Sequence, residues 1–148
     1  MTDRIEKRIT LKAPRQRVWQ GLTNDKEFAK WFGVEFLDGT FEPNKRIKLR
    51  ATQPCGDTAE FFLTVQKMEP PSYFSWEWIP GAEQPQGEPA TLVEFRLEET
   101  KDGGTLLTVT ESGFDRLSLG YRAKALKDNT NGWDEQAKRI QKYLEETR

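Results

Sequence analysis

Histidine is absent from the 148 residues, and cysteine occurs once, at Cys55. These two scarcities exclude an intramolecular disulfide, Cys- or His-built metal sites, and the base that a catalytic cysteine needs beside it. Cys55 lies in "QPCGD", a turn-forming context, and reads as an inert, exposed or half-exposed thiol. An excess of one charge is also missing: 23 Lys and Arg stand against 24 Asp and Glu, for a formal net charge of -1. Nucleic acid is therefore not an expected partner, because phosphate binding needs a basic stripe. The densest basic run, "NKRIKLR", alternates Lys48 and Arg50 with Ile47 and Leu49, as the solvent side of a half-buried strand does. No apolar run approaches the roughly 20 residues of a membrane span. The N-terminus is charged from Asp3 onward and lacks the apolar core of a signal peptide. The expectation is one domain over 1–148, cytoplasmic, with a single core.

What is present is periodicity. "RIEKRITLKA" alternates Ile5, Ile9 and Leu11 with charge, Lys7 being the exception, and reads as a strand. "APRQRVWQGLT" follows, with Pro14 at a helix start and Val18, Trp19 and Leu22 as an apolar stripe. Asn24 precedes Glu27 by three and opens a second short helix, "EFAKWF", which Gly33 closes. Six strands come next: "VEFLDGTFEP", "RIKLRA", "AEFFLTVQKM", "YFSWEWI", "ATLVEFRLEE" and "TLLTVTES". In the fourth of these Phe74, Trp76 and Trp78 share a face, but turns on both sides leave open which sheet face that is. "PGAEQPQGEP" reads as a loop and "TKDGG" as a hairpin turn.

The C-terminal third contains the turn-like "DNTNGW", yet Leu119, Ala123, Leu126, Thr130, Trp133, Ala137, Ile140 and Leu144 step by four and three without a phase slip. The spacing predicts one helix over about 118–145, on the order of 40 Å long, with Gly132 a possible kink. A stripe of that length needs a long apolar partner, and a curved antiparallel sheet around the helix buries both. Small residues on the helix (Ala123, Thr130, Ala137) facing bulky aromatics on the sheet leave room for an apolar cavity.

Within "LLTVTESGFD", Leu107 and Val109 share a strand face, and the next position on that face is Glu111. Two readings are open. Glu111 lies at the cavity end of the last strand, where a poorly solvated carboxylate could accept a hydrogen bond from a ligand. Alternatively the strand ends there, and the side chain reaches solvent or bonds to backbone in the "ESG" turn. No other chemistry stands out: "DGG" cradles no phosphate, and Glu98 and Glu99 point to opposite faces of a strand.

"LKAPRQRVWQGLTNDKEFAKWFG", "GGTLLTVTESGFD" and "NGWDEQAKRIQKYLEE" together resemble START-like proteins related to the activator of the heat-shock-protein ATPase. The resemblance runs in order from Ile5 to Leu144 and implies an α+β helix-grip fold. In that fold a seven-stranded antiparallel sheet curves around the long C-terminal helix over a hydrophobic cavity, with two short helices after the first strand. It also implies a menu of functions: carriers of apolar ligands, cyclases and co-chaperones. Eukaryotic co-chaperones of the family carry a second, N-terminal domain that is not in these residues, which counts against that role. Cyclase-like relatives place acid–base groups in the cavity, and the missing histidine counts against chemistry of that kind.

The expected function is binding of a small apolar or aromatic molecule between sheet and helix, as a monomer or homodimer and without a cofactor. An ATPase-activating co-chaperone of the stress response, with a chaperone as partner, is the alternative; a cyclase- or hydrolase-like enzyme using Glu111 is the third reading. Candidate ligand-binding residues are Trp76, Trp78, Phe95, Val109, Glu111, Leu126, Thr130 and Trp133. Trp31 and Phe32 are read as plugs on the short-helix side of the core.

Overall fold

The computed structural model describes residues 4–52, 56–80 and 87–147, so Cys55 and most of the "PGAEQPQGEP" loop lie outside the described residues. Strand β1 (Ile5–Leu11) leads into helices α1 (Arg15–Thr23) and α2 (Asp25–Phe32). Strands β2 (Val34–Asp38), β3 (Arg46–Thr52), β4 (Thr58–Glu69), β5 (Tyr73–Trp78), β6 (Thr91–Glu99) and β7 (Thr105–Ser112) follow, and α3 (Leu119–Glu146) closes the chain. The strands form one seven-stranded antiparallel sheet in the order β1-β7-β6-β5-β4-β3-β2. This is the helix-grip arrangement: the sheet's concave face carries Phe74, Trp76, Val93, Phe95, Leu107 and Val109, all buried.

Local chemistry sets the joints. Asn24 caps α2 by accepting from the Glu27 amide at 3.1 Å, as its spacing predicts. Glu27's own side chain does not return to the cap. It pairs instead with the Arg17 guanidinium and accepts from the Tyr143 hydroxyl, each at 2.8 Å, and so ties both short helices to the end of α3. Burial alone would raise the Glu27 carboxyl, but the hydrogen bonds from Tyr143 and Arg17 and the guanidinium charge outweigh it and hold the group below its ordinary value. Gly33 ends α2 with φ 79°, and a Cβ there would stand 2.7 Å from the Arg139 guanidinium. That close approach lets Arg139 and Gln136 donate to the Phe32 carbonyl, an otherwise open helix-end acceptor, at 3.3 and 3.0 Å.

The "DNTNGW" segment is helical, and α3 is continuous over 28 residues. The apolar stripe, however, is corrected at its start. Leu119 is 81% exposed and Ala123 is exposed, while Ala125, which the stripe omitted, is fully buried. Lys7 explains its place in the β1 alternation: it lies on the core side and pairs with Asp134 of α3 at 2.6 Å.

Candidate functional site

The sheet register decides where Glu111 points. Glu111 pairs across β7 with Ile5 of β1 and Val93 of β6, and Val93 pairs with Trp76 of β5. Directly opposed residues share a face, so Glu111 shares the concave face with Trp76. Two pairs further along, and so on the same face, Trp78 stands opposite Thr91. Strand β7 runs on to Ser112, and Glu111 is fully buried. Neither a frayed end nor a solvated turn describes it.

Its two oxygens are filled. The indole N–H of Trp133 donates to Oε1 and that of Trp78 to Oε2, both at 2.8 Å. The Thr91 hydroxyl donates to Oε2 at 2.5 Å, and the Asn129 amide donates to both oxygens at 2.9 Å. Indole and amide N–H groups can only donate, so this surround matches an acceptor-only carboxylate and would not match a side-chain amide. A buried polar group costs stability unless it is bonded, and here four side chains from β5, β6 and α3 meet one on β7. Glu111 thereby fixes the orientation of two tryptophan rings.

Those rings belong to a continuous aromatic interior. Trp76 lies 5.3 Å from Trp78, 5.1 Å from Phe95 and 6.4 Å from Trp133, centre to centre, and Trp133 lies 5.9 Å from Phe95. Phe32 touches the same set, 6.3 Å from Trp76 and 6.2 Å from Trp133. Trp31 is buried beside it, its indole donating to the Gly21 carbonyl at 2.8 Å, so both residues plug the short-helix side as read from sequence.

Of the candidate residues, Trp76, Phe95, Val109, Glu111 and Trp133 are buried in this interior. Trp78, Leu126 and Thr130 are half-buried at its margin. The Thr130 hydroxyl turns back to its own helix, donating to the Leu126 carbonyl at 2.6 Å. Thr91 and Asn129 were not singled out from sequence. Asn129 carried a signal, since it precedes Trp133 by one helical turn; Thr91 becomes visible only through the register.

Two spaces adjoin the aromatic set. Beside Ala137, between Phe95, Val109, Trp133 and Ile140, a cavity of about 10 Å³ remains, close to the minimum for one water. On the other side the β4–β5 pairing stops at Thr64 and Glu77. Beyond that point a groove of about 550 Å³ opens between the two strands, lined by the apolar Phe61, Phe62, Leu63, Trp78 and Ile79 and by the polar or charged Arg46, Glu60, Thr64, Gln66 and Glu77. Trp78 is thus shared by the buried interior and the groove.

The activator of Hsp90 ATPase homolog 1-like family model matches residues 12–145. The chain belongs to this family. The solved structure of Ms6760 from Mycobacterium smegmatis is similar, with a TM-score of 0.78 at 19% identity over 97% of this chain and 91% of that one. The Aha1 dimer from Colwellia psychrerythraea gives 0.73 at 21% identity, covering 97% and 96%. DynU16, a protein of the dynemicin biosynthetic locus, gives 0.73 at 23% identity over 98% of this chain and 48% of that one. At these identities the likeness is one of fold. No curated protein is significantly similar in sequence. Among the described residues no helix is long and apolar enough to cross a membrane, and no cluster of His, Cys, Asp or Glu could hold a metal.

Proposed function

We propose that this protein binds a small apolar or aromatic molecule between the sheet and α3, entering past Trp78. The observation that carries the reading is the meeting of two features at Trp78. A groove of ligand-sized volume reaches this ring from outside, and the buried aromatic set continues from it inward. A ligand ring can join such a set through the same edge-to-face and offset contacts that its rings make with one another. Trp76, Trp78, Phe95, Val109 and Trp133 serve as the apolar wall, and Leu126 and Thr130 as the helix-side margin. Glu111 is a positioning residue: its oxygens already accept five hydrogen bonds, so it orients Trp78 and Trp133 instead of meeting a ligand or acting as a base. The protein works without a cofactor, in the cytoplasm.

A direct test is tryptophan fluorescence during titration with fatty acids and flavonoids, at low and at moderate salt. Quenching that saturates and resists salt is expected. Loss of binding in moderate salt would overturn the cavity reading and favour a charged surface.

The family description supports a second reading, an interaction module that stimulates an Hsp90-type ATPase. It predicts a rise in ATP turnover when the protein is added to such a chaperone. The dimeric relative makes a homodimer worth measuring in the same samples.

A further inference from the structure

Among the described tryptophans Trp76 is fully buried, and its indole N–H has no hydrogen-bond partner. Its surroundings are apolar: Phe28, Phe74, Trp78 and Phe95 lie within 6 Å, centre to centre, and Val65 and Val93 stand opposite it on the neighbouring strands. Three other indoles are satisfied, Trp31 by the Gly21 carbonyl and Trp78 and Trp133 by Glu111. Buried donors are nearly always bonded, and an isolated one in an apolar setting is destabilising. Its retention at the centre of the sheet asks for an acceptor that the protein's own side chains do not supply.

The hydrogen-bond character of the interior is one-sided. The one carboxylate among these rings has both oxygens filled, so a ligand hydroxyl would find no acceptor there. The Trp76 N–H remains as a donor. We propose that Trp76 selects ligands that carry a hydrogen-bond acceptor on an aromatic frame, such as aromatic ketones or quinones, over the corresponding hydrocarbons. This rests on the ligand-binding reading above and names its ligand class. Trp78, which the outer groove reaches, is in ring contact with Trp76 at 5.3 Å, so a planar ligand that displaces the Trp78 ring would meet the Trp76 indole next.

Two probes of nearly equal shape test this: 9-fluorenone, which has a carbonyl, and fluorene, which has none. The wild-type protein is expected to bind fluorenone about 3- to 10-fold more tightly, the range of one neutral hydrogen bond. In Trp76→Phe that ratio should fall to about one, whatever happens to the absolute affinities. Because the ratio is read, a change in cavity volume does not imitate the result. Should Trp76→Phe fail to fold, the wild-type protein supplies a second readout. Of its five indole N–H resonances, that of Trp76 should move downfield with fluorenone and not with fluorene. Equal binding of the two probes, an unchanged preference in Trp76→Phe, or an immobile Trp76 N–H would overturn the selectivity while leaving ring binding intact. Binding of neither probe would overturn both readings.

Discussion

The two halves of α3 are bound to the rest of the protein in different ways. From Trp133 onward the helix is clamped: Trp133, Ile140 and Leu144 are buried, Asp134 pairs with Lys7, Gln136 and Arg139 cap α2, and Tyr143 bonds to Glu27. Over residues 119–132 only Ala125 is buried. Tyr121, Leu126, Asn129 and Thr130 are half-covered, and the ties of this half include the Tyr121 hydroxyl on the Pro80 carbonyl, Arg122 on the Asp115 and Leu117 carbonyls and Asn129 on Glu111. One unbroken helix therefore combines a rigid anchor with a lightly held lever. The lever covers the end of the sheet where Trp78 stands. Regions with few buried apolar contacts open at lower free energy than cores do, so the same difference that weakens the first half makes it fit to admit a ligand.

The comparison is best broken by truncations. Trp133→Ala removes a buried ring and leaves Glu111 short of a donor, and should cost about 3–5 kcal/mol in chemical denaturation. A cost under about 1 kcal/mol would mean that the clamped half is not clamped. Glu111→Gln should cost about 1–3 kcal/mol. The new NH₂ must face either Trp133 and Asn129 or Trp78, Thr91 and Asn129, so donor meets donor in both orientations. A neutral Glu111→Gln would contradict the four-donor anchor. Between the halves, Leu126→Ala should cost about 1–2 kcal/mol, less than Ile140→Ala at about 2–5, since Leu126 is half-buried and Ile140 is 2% exposed.

The smallest effect concerns pH. The Glu27 carboxyl is held below its ordinary value of 4.5 in the folded protein. Its stabilising contribution is complete above that value and is lost as pH falls through the lower, folded one. Glu27→Gln should cost up to about 1 kcal/mol at neutral pH and flatten the loss of stability below about pH 4.5. An acid limb unchanged by the substitution would assign that loss to other carboxylates.

How far the sequence reached follows from which interactions are local. Strand alternation, the Asn24 cap, the Gly33 end of α2 and the unbroken phase of α3 are set by near neighbours, and each is seen in the structure. The buried face of α3 is not local. It depends on which distant elements cover the helix, and at Leu119 and Ala123, both exposed, none does. Glu111 shows the same limit at a single residue. Parity put it on the concave face, but its donors come from Trp78, Thr91, Asn129 and Trp133, between 18 and 33 positions away. Register across three strands had to be known before its surroundings could be.

The central claim is that a ligand enters past Trp78 and lodges against the lightly held half of α3 while the clamped half stays in place. Amide hydrogen exchange along the helix, with and without 9-fluorenone, tests it most directly. Without the probe, amides at 121–132 should exchange faster than those at 133–144, and with it protection should rise in the first stretch and scarcely change in the second. Uniform protection along the free helix, or a gain on binding confined to 133–144, would contradict it.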